Sequence, residues 1–360
     1  MNIQPLLEKV LPLMTDAAAI RKDNGLYRGN AGMALCAYHL AEATASDPLF
    51  ERADELILHM TSNLHHVQTD AFGDGQLGIG WTLHYLHANG FINTAPAAFN
   101  FFDQLFFDYN RFTTEPGVAK GTLGYLHYLE NRFDTNMFAY RDMPADCNEI
   151  EKNEMMVQLL DQLDVNLKTY YANLEIFRPS DMVNFLSIPL QYLSDYLTPL
   201  CAAAQLLGKV QRRNIYPEIL QQCRKRILEI LDTSAALLLE YAAGSKPMPA
   251  TEVYYLRKSI FQLSNAMEDF TVCKTLEISP DFLSAVKEYP VDVTFSALLS
   301  RAFHGTGNPL FADAVIAMTD KVTGYGSDHG LEHGLAGLTM SLLSLDNPEI
   351  LSWDAAIGLS

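Results

Sequence analysis

Gly330-Leu331-Glu332-His333-Gly334-Leu335-Ala336-Gly337, running straight into the apolar stretch Leu338 to Leu345, decides how this chain is read. The same octet occurs three more times. It reads Gly25-Leu26-Tyr27-Arg28-Gly29-Asn30-Ala31-Gly32 ahead of Met33 to Leu40, and Ala71-Phe72-Gly73-Asp74-Gly75-Gln76-Leu77-Gly78 ahead of Ile79 to Leu86. The third copy is Gly117-Val118-Ala119-Lys120-Gly121-Thr122-Leu123-Gly124, followed by Tyr125 to Leu129. The central glycines Gly29, Gly75 and Gly121 stand 46 residues apart, a fixed period that marks an architecture of repeated supersecondary units. Two glycines three residues apart where an apolar helical pattern begins let the backbone turn sharply and pack closely, so each octet leads into a helix.

The first N–H groups of a helix have no intrahelical partners, and with the helix dipole they attract anions and polar ligands. The residue before the central glycine is Arg28, Asp74, Lys120 and His333 in turn, so a polar or charged side chain stands at one equivalent position every time. Together with Tyr27 and Glu332 these residues are expected to surround a shared mouth and bind the substrate. His333 is the candidate catalytic group. The competing expectation is that they are solvated turn residues, since turns are polar in general.

A length of 360 residues with 49% hydrophobic content supplies a large core, and no Pro/Gly/Ser-rich linker divides it, so residues 1–360 read as one domain. The formal charge of −18, without a Lys/Arg stripe, argues against nucleic acid or an anionic membrane as partner. The start, Met1-Asn2-Ile3-Gln4-Pro5, has no basic segment followed by a pure apolar one, so neither signal peptide nor membrane anchor is expected, and the reading is cytoplasmic. Cys36, Cys147, Cys201, Cys223 and Cys273 are odd in number and scattered without a C-x-x-C, which fits reduced thiols; Cys36 is expected in the core.

Taken in order, residues 3–19 form an amphipathic helix, and Asp47-Pro48-Leu49-Phe50 opens another behind an Asp cap. Residues 95–112, rich in Phe, make the outer helix of the third unit. Beyond that the glycines fade, and units are placed by length and start signals: outer helices at 152–175, 214–243 and 280–289, with Asn308-Pro309-Leu310-Phe311 repeating the Asp47 start for the last. Inner helices are expected to begin near residues 30, 76, 122, 182, 252, 291 and 335, an all-α chain of about seven pairs with little support for strands.

The repeated glycine turn, its continuation Gly78-Ile79-Gly80-Trp81 and the seven helix pairs resemble the lanthionine synthetase C-like (LanC-like) family, whose fold is a seven-fold α/α toroid. The resemblance implies a cyclase of ribosomal peptide maturation. In that chemistry a zinc ion at the central mouth binds a cysteine of the modified precursor peptide, lowers its thiol pKa, and the thiolate adds to a dehydrated Ser or Thr to close a thioether ring. The family takes its ligands from a Cys in a Gly-Trp-Cys-type turn of the fifth unit and a Cys-His-Gly turn of the sixth. Here the fifth begins Thr251-Glu252-Val253-Tyr254-Tyr255 and the sixth Glu288-Tyr289-Pro290-Val291-Asp292, without Cys or His.

The leading expectation is therefore a degenerate cyclase or peptide-binding accessory with no favoured cofactor, its central cavity holding a peptide or a small ligand. The first alternative is an active cyclase with zinc relocated to Glu332 and His333, with His329 or Asp328 as the third donor, a donor set that zinc accepts. A carbohydrate-active toroid is the second; it needs paired carboxylates about 5 to 9 Å apart, for which Asp74 and Glu332 are the candidates. His329-Gly330-Leu331-Glu332-His333 also matches H-x-x-E-H, but Gly330 and the glycines that follow mark a turn where that protease motif needs an established helix. Phe303-His304-Gly305 is read as a helix end, with Gly305 as its cap. His84, His87 and His127 are expected in the core, and His65-His66 in solvent.

Overall fold

A computed structural model of the chain describes residues 3–17, 22–67, 69–95, 97–108, 113–133, 145–172, 174, 189–212, 216–243, 249–269, 280–322, 330–357 and 359. The regular structure among those residues is helical, with turns between the helices and no strand. The helices are α1 (Gln4–Ala17), α2 (Asn30–Thr44), α3 (Asp47–Ser62), α4 (Gln76–Ala88), α5 (Ala97–Asp108), α6 (Thr122–Phe133) and α7 (Ala145–Tyr170). They continue as α8 (Pro189–Gln211), α9 (Pro217–Ala242), α10 (Ala250–Ala266), α11 (Pro280–Glu288), α12 (Val293–Thr306), α13 (Pro309–Val322) and α14 (Leu335–Asp346). Short 3-10 stretches cover Leu64–His66 and Pro348–Ile357.

Two kinds of helix alternate. Every residue is buried from Asn30 to Ala41 in α2, from Gln76 to Leu86 in α4 and from Leu335 to Leu345 in α14, as expected of helices surrounded on all sides. In α3, by contrast, Leu49, Ala53, Leu56 and Met60 alone are buried, a single stripe at helical spacing. Alternate helices pack in sequence, α2 on α4, α4 on α6, α6 on α8, α8 on α10, α10 on α12 and α12 on α14, and α14 packs back against α2. Since no side of α2, α4 or α14 is left open over those spans, side chains fill the interior between them, and open ground lies at their ends.

The octets are interlocked at one end of these helices. Leu331 N–H donates to the Tyr27 carbonyl at 2.8 Å, Leu26 and Tyr27 N–H to the Gly73 carbonyl at 2.8 and 2.9 Å, and Gly73 N–H to the Ala119 carbonyl at 2.8 Å. Four turns separated by up to 300 residues of sequence thus form one hydrogen-bonded arc. Within the first three units the first residue of the helix also reaches back seven positions: Asn30, Gln76 and Thr122 N–H donate to the carbonyls of Asp23, Thr69 and Glu115 at 2.9, 2.9 and 3.0 Å. That closes each loop tightly.

The last glycine of each octet is required by close approach rather than by its own dihedral angles. A Cβ on Gly78 would lie 1.9 Å from the Phe72 carbonyl oxygen and 3.0 Å from the Leu26 Cβ of the preceding unit. The same pattern holds at Gly32 against Leu26 and Leu331, and at Gly124 against Val118 and Phe72. Each glycine therefore seats both its own turn and its neighbour's side chain. Gly78→Ala is expected to cost about 1–3 kcal/mol through overpacking, whereas Gly117→Ala, whose Cβ would meet nothing within 4 Å, should stay within about 0.5 kcal/mol. Urea unfolding of both variants checks this; equal midpoints would show that the turns are not closely packed.

Several starts and stops differ from the sequence reading. Asp47 is the first residue of α3, not its cap; Ser46 holds the cap position without a side-chain bond. Asn308 does cap α13, its Oδ1 accepting from Leu310 N–H at 3.1 Å. Helix α12 runs past Gly305 and ends at Gly307, which has φ of 69°, the left-handed conformation that glycine adopts without a Cβ penalty. His304 is at that end, as expected, its Nε2 2.7 Å from the Ser344 carbonyl oxygen. Cys36, His84 and His127 are buried, and His65 and His66 are exposed. His87 is half-buried and accepts from Thr94 N–H at 3.3 Å. The expected start near residue 182 lies outside the described residues.

Candidate functional site

The arc of turns brings the six sequence-selected residues to one end of the molecule. Tyr27 is 4% exposed, and burial first, then the charges of Glu332 and Asp74, push its phenol well above the ordinary range. Arg28 and Lys120 are exposed on either side of Asp74 in the order of units and pull its carboxyl down. The net shift of Asp74 is nonetheless upward, through burial first and through Asp23 and Glu332. Its Oδ1 is buried with no hydrogen-bond partner among the described residues. That oxygen is an acceptor without a donor, a costly state for a group removed from water.

Glu332 and His333 pair at 3.1 Å, the histidine largely in solvent at 61% side-chain exposure. The bond from Glu332 is the main cause of a raised His333 pKa, with the charges of Glu332 and Asp292 helping and burial and Arg28 opposing. His329 and Asp328, the alternative third donors of the relocated zinc set, lie outside the described residues. Among the described residues no three His, Cys, Asp or Glu side chains come together as a metal site.

The field of Asp292 at His333 leads to a half of the site that the sequence reading missed. Asp292 caps α12, its Oδ1 accepting from Phe295 N–H at 2.8 Å. Its Oδ2 accepts from Lys258 Nζ at 2.6 Å and from the Tyr254 hydroxyl. Tyr254 and Lys258 stand four residues apart on α10 and so share one face of that helix. These bonds hold the Asp292 carboxyl below the usual range although burial acts the other way. Asp195 on α8 keeps contact with solvent, yet the protein around it raises its pKa, with Lys258 pulling down and Asp292 pushing up. Tyr255 is raised by burial and then by Asp195.

Charged groups therefore follow one another along this succession of helices and their lead-in turns, from Arg28, Asp74 and Lys120 through Asp195, Lys258 and Asp292 to Glu332 and His333. The fifth and sixth units contribute Tyr254, Lys258 and Asp292. Cysteine takes no part among the described residues: Cys36, Cys201 and Cys223 are buried on helices, and burial pushes all three thiols up, that of Cys223 to about 12. Cys201 and Cys223 donate to the carbonyls of Gln262 and Leu160 at 3.1 and 3.2 Å. The side chains of Cys147 and Cys273 lie outside the described residues.

A cleft of roughly 560 Å³ opens elsewhere, between α9 and the C-terminal turns of α8 and α10, with Arg212, Arg224, Leu228 and Met267 along it. It is at the other end of α8 from Asp195 and contains none of the repeated turn residues. No helix among the described residues is long and apolar enough to cross a membrane. No protein-family model matches the chain, and no curated protein matches it.

Proposed function

We propose that the succession of covered and striped helices is a closed α/α toroid of seven pairs, LanC-like in kind, that serves ribosomal peptide maturation in the cytoplasm as a degenerate cyclase or peptide-binding accessory. The interlocked arc of octets carries this reading. Four glycine turns from the two ends of the chain share backbone hydrogen bonds and present Tyr27, Arg28, Asp74, Lys120, Glu332 and His333 at one mouth. In the stretches where the resemblance places thiolate and imidazole ligands, this chain has Tyr254 and Asp292, and Asp292 is bonded to Lys258, whose ammonium repels a second cation.

Such a mouth has polar groups to hold a peptide and fixed charge to orient it, without the Lewis acid that turns a cysteine thiol into a thiolate at neutral pH. The expected result is therefore binding without ring closure. Purified protein incubated with a capped peptide containing dehydroalanine and cysteine should bind it, and the peptide thiol should remain titratable by a maleimide. Elemental analysis should give zinc far below one per chain. Near-stoichiometric zinc that disappears in His333→Ala, with loss of the peptide thiol in the parent protein, would replace this reading by an active thioether cyclase with a relocated metal.

A second reading is favoured by one observation: the Asp74 carboxyl is raised by burial first, then by the charges of Asp23 and Glu332. Asp74 and Glu332 suit the acid and base of a carbohydrate-active toroid. Release of reducing sugar from an oligosaccharide panel, abolished in Asp74→Asn, would establish it.

A further inference from the structure

Lys258 is 8% exposed, and its ammonium carries three donors. Only one of them has a hydrogen-bond acceptor among the described residues, Asp292 Oδ2 at 2.6 Å. Asp292 is nearer to saturation, its two oxygens already accepting from Phe295 N–H, the Tyr254 hydroxyl and Lys258. The larger remaining capacity of this cluster is thus that of the Lys258 donor, held nine-tenths out of water. Around the same mouth, Asp74 Oδ1 has the opposite deficiency, a buried acceptor without a donor among the described residues. Buried polar groups of this kind are costly to leave unmade, so each defines the ligand atom it lacks.

We infer that Lys258 and Asp74 are the two poles of one peptide-binding site at the mouth, Lys258 donating to a backbone carbonyl and Asp74 accepting from a ligand N–H or ammonium. This rests on the peptide-binding reading above and adds to it the class of peptide. An anionic group cannot take the Lys258 position cheaply, since Asp195 and Asp292 both stand in that neighbourhood and Glu332 adds its negative charge beside Asp74. A neutral carbonyl accepts from the ammonium without adding charge. A cationic side chain, in turn, supplies Asp74 Oδ1 with a donor and adds to the opposite charge of Arg28 and Lys120. The favoured ligand is a peptide segment that is neutral or basic, and an acidic one is disfavoured.

The test uses three capped hexapeptides, acetyl-Gly-Ala-Xaa-Ala-Cys-Gly-amide with Xaa as Lys, Gln or Glu, titrated calorimetrically into the full chain. Affinity is expected to fall from Lys to Gln to Glu, with on the order of tenfold between the ends. Lys258→Met combined with Asp292→Asn removes the pair without leaving a lone charge and should weaken the Lys and Gln peptides alike, on the order of tenfold. Asp74→Asn should erase the preference for Lys over Gln while keeping Gln binding. A Glu peptide that binds as tightly as the Lys peptide, or a double variant with parental affinity and a parental melting temperature, overturns the inference while leaving peptide binding intact. Failure of all three peptides to bind the parent chain overturns the peptide-binding reading itself, and this inference with it.

Discussion

Arg132→Ala is expected to destabilise the protein by about 3–5 kcal/mol, the range found when one member of a buried ion pair is removed. Arg132 on α6 and Asp103 on α5 are both 0% exposed, joined through Nε at 3.0 Å and a terminal guanidinium nitrogen at 2.6 Å. The Tyr128 hydroxyl adds a third bond to Asp103 at 2.7 Å, and the guanidinium lies 4.8 Å from the centre of the Phe99 ring. Truncation leaves a carboxylate out of water with a phenol as its remaining donor among these groups, together with a cavity. The pair itself need not be net stabilising, because two desolvation costs offset its attraction. Arg132→Met, Asp103→Leu and Tyr128→Phe together, which remove these three polar side chains at once, should therefore recover most of the loss. Urea unfolding of the single and triple variants measures both. A single variant within 1 kcal/mol of the parent, or a triple variant no better than the single, would contradict this account of the α5–α6 contact.

The glycine octets made much of this arrangement legible in the sequence because a glycine needed for close approach leaves a gap in an otherwise apolar pattern. Gly78 and Gly124 repeat at the spacing of the units they join, so the interlock of turns one, two, three and seven could be expected before any coordinate was known. The second half conceals its units. Helix α10 starts after Pro249 and α12 after Asp292, two different caps in place of the glycine, and the reach of Lys258 across to Asp292 leaves no trace in composition. One sign was available: Tyr254 and Lys258 stand four apart, and Asp292 precedes Val293-Thr294-Phe295 in the manner of a helix cap. The orphan oxygen of Asp74 could not have been foreseen, since it depends on what fails to reach it. By the same logic Asp103 and Arg132 read singly as solvent-facing residues, and only the packing of α5 on α6 makes them partners.

Acidification should unfold the protein steeply between about pH 6 and pH 4, driven by three histidines on the covered helices. Burial lowers His39 and His84 to about 4 and His127 to about 3. Arg132 adds to the effect at His84, while the bond to Asn131 at 2.7 Å opposes it. Their unfolded-state value is near 6.5, so below that pH the unfolded chain binds more protons than the folded one, and stability falls as pH falls. Each histidine contributes about 1.4 kcal/mol per pH unit in that window, and three together approach the 5–15 kcal/mol that holds an ordinary domain folded. Asp74 and Asp195, whose carboxyls are raised in the folded state, act in the opposite sense as they take up protons, but both keep contact with water and offset little. The measurement is the urea midpoint across this range for the parent and for His39→Gln, His84→Gln and His127→Gln combined. The triple variant should lose the slope between pH 6 and 4.5, whereas a slope equal to the parent's would place the acid sensitivity elsewhere. Arg132 couples the two experiments: a neutral residue there removes a charge that disfavours His84 protonation, so the triple variant that restores stability at pH 7 should also flatten the acid limb.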